Sequence, residues 1–320
     1  MRRSLGGAMS ARTRLTGLRT RRGAPRRSHR ARVVEPARRL VRRRDGGATS
    51  SGRMVDMPAP AAAPHISALP TALVTGSSGG IGAEFARRLA PDHDVVIVAR
   101  SGDRLEQVRA ELVATRASGA FTTVVADLAT PEGVETVLAA VGDRPIDVLV
   151  NNAGVGSHGA FAEADADAQQ AQVHLNCSQV VALTRALLPG MLERRRGTVV
   201  NVASTAAFQP IPTMAVYGAT KAFVLSFSEA LHAEVRGSGV TVTALCPGAT
   251  ETGFFAATGR DFLTSGRQTP EQVVTAALRA VRRRRAVVVS GLGNAIGAQA
   301  HRFLPRRLVT AASSLIVRER

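Results

Sequence analysis

The chain has no tryptophan, one tyrosine and two cysteines, and its 42 basic residues include a single lysine. Each scarcity excludes something. Cys177 and Cys246 stand in apolar stretches with no CxxC or histidine-rich spacing nearby, which argues against a disulfide framework and against a zinc site. No metal is expected, and two lone thiols suit a reducing, cytoplasmic setting. No run of 18 apolar residues appears, and the arginine-rich start lacks the apolar stretch of a secretory signal. The chain therefore reads as soluble, without a membrane-spanning helix.

Acidic residues are scarce in one region only. Residues 1–53 hold 17 Arg against Glu35 and Asp45, a net charge of +15, whereas the rest of the chain is nearly balanced. Residues 1–68 have no helical or strand period, and they end in the Pro/Ala run at 58–64. Such a segment buries too little apolar surface to offset its ordering entropy and reads as a disordered tail. Three origins compete: a start chosen upstream of a working chain that begins near Met54 or Met57, an ordinary solvated arm, or a targeting or nucleic-acid arm. The tail carries no interleaved aromatics and no recognised module, so a nucleic-acid partner is not expected.

Beyond the tail, 45% hydrophobic content over 320 residues can support a core without covalent staples. Seven short β-branched runs, at 71–75, 94–99, 121–126, 147–150, 197–203, 239–245 and 286–290, are nearly continuously apolar, as strands buried on both faces are. Helical patterns fall between them at 80–90, 103–117, 131–141, 178–195, 215–236 and 270–284. This alternation predicts a single α/β domain over 69–290: a doubly wound, Rossmann-like parallel sheet with helices on both faces. Residues 291–320 read as a C-terminal helical extension, with Leu308, Val309, Ala312, Leu315 and Ile316 on one stripe. Packing on its own domain or a sister subunit competes with contact to a membrane surface or an apolar substrate.

The first strand runs into Thr75-Gly76-Ser77-Ser78-Gly79-Gly80-Ile81-Gly82 and then a helical run. A glycine-rich turn that opens a helix lets backbone N–H groups and the helix dipole meet a pyrophosphate. At the end of the second strand, where an NAD site wants a carboxylate for the ribose, the chain has Ala99 followed by Arg100 and Ser101. A cation there can pair with a 2′-phosphate, so NADP is expected over NAD.

The lone tyrosine and lone lysine, Tyr217 and Lys221, are four residues apart at the start of a helical run, which places them on one helix face. A cation about 5 Å from a phenol, at an effective dielectric of about 20, contributes on the order of 3 kcal/mol and should lower the phenol's pKa by about two. Such a phenol is poised for acid–base work near neutrality. Ser204, at the carboxyl end of the fifth strand run, is placed to hold a substrate oxygen.

Together with Asn151-Asn152-Ala153-Gly154, Asn176, Tyr217-Gly218-Ala219-Thr220-Lys221 and Pro247-Gly248, these residues resemble the classical short-chain dehydrogenase/reductase family over about 69–290. The Asn-Asn-Ala-Gly segment and the Ser–Tyr interval favour the classical branch over the extended one. The resemblance implies Tyr217 as acid–base, Lys221 as the residue that depresses its pKa and binds the nicotinamide ribose, Ser204 as the substrate-oxygen anchor, and Asn176 as the holder of a relay water. It also implies that Asp127 and Leu128 contact the adenine and that Asn152, Ala153 and Gly154 line the cofactor. Pro247 and Gly248 would then turn beside the nicotinamide, with Thr250 and Thr252 contacting its carboxamide or phosphates.

The expected function is an oxidoreductase passing hydride between NADPH and an apolar carbonyl or alcohol, working as a homodimer or homotetramer. The alternative is a catalytically silent dinucleotide sensor or scaffold. Residues 251–268, with Phe254, Phe255 and Phe262, read either as a substrate lid or as an ordinary packed helix. His158 is a further pocket candidate or a solvated loop residue.

Overall fold

The computed structural model describes residues 69–115, 119–254, 258, 266–300 and 302–317. The arginine-rich tail, Phe255 and Phe262 lie outside them, as does the side chain of Ile316.

Seven parallel strands form one sheet in the order β3-β2-β1-β4-β5-β6-β7. They are β1 (Thr71–Thr75), β2 (Asp94–Ala99), β3 (Phe121–Val125), β4 (Ile146–Asn151), β5 (Gly197–Val202), β6 (Val240–Cys246) and β7 (Val287–Val289). Alternate residues of the central strands feed opposite cores, as the two-residue period of a strand requires. Ala72, Val74, Val95 and Ile97 pack with α1 (Gly80–Leu89), α2 (Gly102–Thr115) and α7 (Pro270–Arg282). Leu73, Val96, Val98 and Leu149 pack with α3 (Pro131–Val141), α5 (Gln179–Glu193) and α6 (Ala215–Glu234). Helices therefore cover both faces.

Two helices have no counterpart in the hydrophobic pattern. α4 (Ala166–Val173) has three alanines and a single valine for its apolar residues and shows no stripe, and α8 (Leu292–Ala300) contains two glycines. A π-helical stretch, His174–Ser178, joins α4 to α5. The last helix, α9 (Arg306–Val317), departs from the expected single stripe: Val309 is buried, whereas Leu308 and Leu315 face outward.

Strand order reverses between β1 and β4, and the crevice at the carboxyl ends of strands on either side of such a reversal is where an open α/β sheet binds its ligand. A cavity of about 1080 Å³ lies there.

Candidate active site

The turn after β1 is built around close approach. A Cβ on Gly82 would collide with the backbone oxygen of Gly76, and one on Gly80, whose φ is +54°, would come 2.7 Å from Thr252 Cγ2. Only glycine lets helix α1 begin this tightly against its own strand. The helix starts at Gly79 with no side chain capping it, so its first N–H groups have no local acceptor. Gly76, Ser78, Gly80 and Ile81 line the cavity at this uncapped end. An uncapped helix start on a groove wall is the donor set that a diphosphate takes.

Three residues of the same motif lie beneath the wall. Thr75 Oγ1 donates to Val150 O (3.2 Å) and accepts from the backbone N–H groups of Asn152 and Ala153, both at 3.0 Å. Ser77 Oγ donates to Val74 O (2.6 Å). Gly82 is buried in α1. Their work is to hold the loop and the β4 end in register. Asn152 continues it, with Nδ2 donating to Thr75 O and Gly76 O (2.9 and 3.1 Å).

Ala99, Arg100, Ser101 and Arg104 form one end of the cavity wall, followed by Asp127 and Leu128 at the end of β3. No carboxylate stands at the end of β2. Asn152, Ala153, Gly154, Pro247, Gly248, Thr250 and Thr252 complete the wall toward the other end. Thr250 Oγ1 donates to Gly248 O (3.1 Å), and Thr252 Oγ1 accepts from Phe254 N (3.3 Å).

Ser204 and Tyr217 meet on the wall at that end, the Ser204 hydroxyl close enough to lower the phenol's pKa. Ser204 caps a short 3₁₀ turn, Thr205–Phe208, its Oγ accepting from Ala206 N (3.1 Å), so its own proton is free to be donated. Tyr217 and Lys221 project from the buried face of α6. Lys221 Nζ donates to Val202 O (2.8 Å) and lies 5.8 Å from the centroid of the Tyr217 ring.

The electrostatics of the chain alone depart from the sequence reading. Burial pushes the Tyr217 phenol up to about 12, against the lowering effect of the Ser204 hydrogen bond. Burial also pushes the Lys221 ammonium down to about 8. The expected lowering of the phenol is absent because burial dominates and the ammonium is aimed at the Val202 carbonyl.

Asn176 stands within the π-helical stretch, a feature that recurs at functional sites. Its Oδ1 accepts from Val155 N (3.0 Å), and its Nδ2 donates to Val155 O (2.9 Å) and Thr220 Oγ1 (3.0 Å). Both amide hydrogens are thereby committed, so the side chain braces the loop after β4 against α6. Thr220 Oγ1 in turn donates to Tyr217 O (2.8 Å). Neither Asn176 nor Lys221 reaches the wall; Gly154 does, and a Cβ there would come 3.1 Å from Asn176 Oδ1 and 3.3 Å from Lys221 Nζ.

Several wall residues carried no signal in the sequence. Gln209, Ile211 and Met214, between β5 and α6, and Gly293, Asn294, Ala298, Ser313 and Val317, from the C-terminal helices, line the same cavity. Phe254, from the suspected lid, stacks obliquely on Tyr217 with ring centroids 5.3 Å apart. His158 does not line the cavity; its Nε2 lies 3.3 Å from Val317 O and 3.0 Å from Thr213 Oγ1, linking the loop after β4 to α9.

The family model described as short chain dehydrogenase matches residues 70–261. A "very-long-chain 3-oxoacyl-CoA reductase" of Anas platyrhynchos is 35% identical over 219 residues, 65% of this chain and 67% of that protein. A "putative ketoacyl reductase" of Streptomyces coelicolor is 40% identical over 186 residues, 57% of this chain and 70% of that one. Among solved structures, a short-chain dehydrogenase from Sphingobium yanoikuyae in complex with NADPH is 34% identical, with a TM-score of 0.68 over 79% of this chain and 97% of that one. The chain belongs to the short-chain dehydrogenase/reductase family and is an NAD(P)-dependent oxidoreductase acting on CH–OH and C=O groups.

Proposed function

We propose that the protein is an NADPH-dependent carbonyl reductase for a bulky, apolar ketone, with Ser204, Tyr217 and Lys221 at the reacting end. The observation that carries this reading is the meeting of Ser204 and Tyr217 on the cavity wall, with Lys221 and Asn176 directly behind. The cofactor's nicotinamide supplies the hydride when it is bound along the groove. The side chains manage the oxygen and the proton. The Ser204 hydroxyl donates to the ketone oxygen, and the Tyr217 hydroxyl delivers the proton that turns it into an alcohol.

A phenol held at about 12 keeps its proton throughout the neutral range, which suits a proton donor. The phenolate left behind is stabilised by the Lys221 ammonium, charged below about 8. Asn176 braces the Val155 backbone and the Tyr217–Thr220 turn.

Arg100 and Arg104, with no carboxylate at Ala99, support NADP over NAD. Ile211, Met214, Phe254 and Val317 give the substrate end an apolar lining, and the ketoacyl reductases among the relatives point to 3-oxoacyl thioesters as one class to test. The shallow groove of α5 and α6, flanked by half-exposed Val181 and Phe223, supports pairing with a second copy. Cys177 and Cys246, both free thiols, suit a cytoplasmic setting.

Oxidation of NADPH by the purified chain against aliphatic, aromatic, steroid and 3-oxoacyl thioester ketones tests the proposal. Turnover of at least one apolar class, slower with NADH, is expected. A protein that binds NADPH but reduces none of them would overturn it.

A further inference from the structure

The two C-terminal helices face two ways. Asn294 and Ala298 of α8, and Ser313 and Val317 of α9, line the cavity. On α9, Val309, Ser313 and Val317 are buried, and Ser313 Oγ donates to Pro210 O (2.6 Å). At 100° per residue, Leu308 and Leu315 fall on the opposite side, and they are 57% and 68% exposed. On α8, Leu292 and Ile296 share a face away from Ala298 and are 80% and 65% exposed. The turn between the helices adds Phe303, 84% exposed, and the exposed Arg302, and the first turn of α9 adds the exposed Arg306 and Arg307.

Charge in this region has one sign. From 272 to 317 the chain contains no Asp or Glu, and none of the described ion pairs includes these three arginines. Arg282 to Arg285 belong elsewhere, since they precede β7 at the amino edge of the sheet, the far side from the cavity.

Large apolar side chains left in water beside unpaired cations mark an interaction surface. A second copy is a poor occupant, because a two-fold contact would set the same arginines against each other. An acidic protein would satisfy the charge but leave little reason for Leu292, Ile296, Phe303, Leu308 and Leu315 to point outward. A bilayer with anionic headgroups satisfies both, with the apolar residues in the headgroup–acyl boundary and the arginines among the phosphates. No helix among the described residues is long and apolar enough to cross a membrane, so the contact lies on the surface.

We propose that the outer faces of α8 and α9 and the turn at 302–305 form a docking surface for an anionic lipid bilayer, beside the cavity those same helices wall. Resting on the apolar-ketone reading, this docking would let a membrane-dissolved substrate enter without crossing water.

The absence of tryptophan gives a clean reporter: Phe303→Trp places one indole on the proposed surface of the full chain. With phosphatidylglycerol/phosphatidylcholine vesicles its emission should shift blue and be quenched by brominated acyl chains. Leu308→Ser with Leu315→Ser in that background should abolish the quenching. Arg302→Gln with Arg306→Gln and Arg307→Gln should weaken vesicle affinity about a hundredfold, at about fivefold per arginine.

Binding through the arginine-rich tail gives no such signal, since a charge-only contact leaves the indole in water. Sedimentation with vesicles but unchanged emission therefore overturns the proposal. A blue shift that follows protein concentration without lipid would instead identify a second copy, and one produced only by an acidic protein would identify that partner; either result also overturns it. Reduction of a water-soluble ketone, followed in parallel, keeps the two readings apart, because vesicle binding is read without substrate. Lost docking with intact reduction refutes only the membrane surface, and intact docking without reductase activity refutes only the proposed function.

Discussion

Replacing Arg100 with leucine should cut NADPH affinity while leaving NADH nearly untouched. A charge-assisted bond to a phosphate contributes about 1.5–3 kcal/mol where water is excluded. Arg100 is exposed on the cavity wall, so solvent and salt reduce that to about 1–2 kcal/mol, or roughly five- to thirtyfold in Kd. Arg104, in the first turn of α2, lines the same end and retains part of the preference. Adding Ala99→Asp places a carboxylate beside the ribose, which repels a 2′-phosphate and accepts from the hydroxyls of NAD, so the double variant should favour NADH. Initial-rate curves for both cofactors, at low and high salt, measure the change. It should appear chiefly in KM, with saturated turnover little altered, because neither side chain is at the reacting end. An unchanged NADPH/NADH ratio in both variants would mean that this end of the groove does not hold the ribose phosphate.

Two further outcomes follow from the buried groups. Lys221 is charged below about pH 8 and neutral above it, whereas Tyr217 stays protonated up to about 12, so reductive kcat/KM should be level below pH 8 and fall about tenfold per pH unit above it. A profile flat to pH 10 would remove the ammonium from the mechanism. Asn201 accepts from Asn151 Nδ2 (2.9 Å) and donates to Ser228 Oγ (2.9 Å) in the buried layer behind the site. Asn201→Ala removes one bond from each partner, leaving Asn151 Nδ2 only Thr184 Oγ1 and Ser228 Oγ only Val224 O, and should destabilise the fold by about 1–3 kcal/mol, which a drop in Tm would register.

The strands were legible because buried parallel strands are apolar on both faces; β1 and β2 begin and end where the β-branched runs do. α4 was not, since Ala-Asp-Ala-Gln-Gln-Ala-Gln-Val offers no stripe and its helicity comes from the Asp165 cap and the helix that follows it. α8 was hidden by two glycines and its short length. Tyr217, Lys221 and Ser204 stood out through rarity or strand-end position, and the fold brings them together. The apolar stripe of the last helix left contact with an apolar substrate open, but it did not single out Asn294, Ala298, Ser313 or Val317, because their role depends on a chain reversal after β7 that no local pattern encodes. The phenol's pKa was misjudged for a related reason: a spacing of four residues reports a shared face, and burial and the aim of the ammonium toward Val202 O are tertiary facts.

The most direct test of the catalytic account is Tyr217→Phe, followed by NADPH fluorescence and by turnover of the best ketone. Phenylalanine keeps the ring that packs on Phe254 and removes only the hydroxyl beside Ser204. The account predicts unchanged NADPH binding and melting temperature, with kcat lower by about a thousandfold or more, in the range expected for a lost proton donor. Turnover within a fewfold of the parent, with cofactor binding intact, would contradict it.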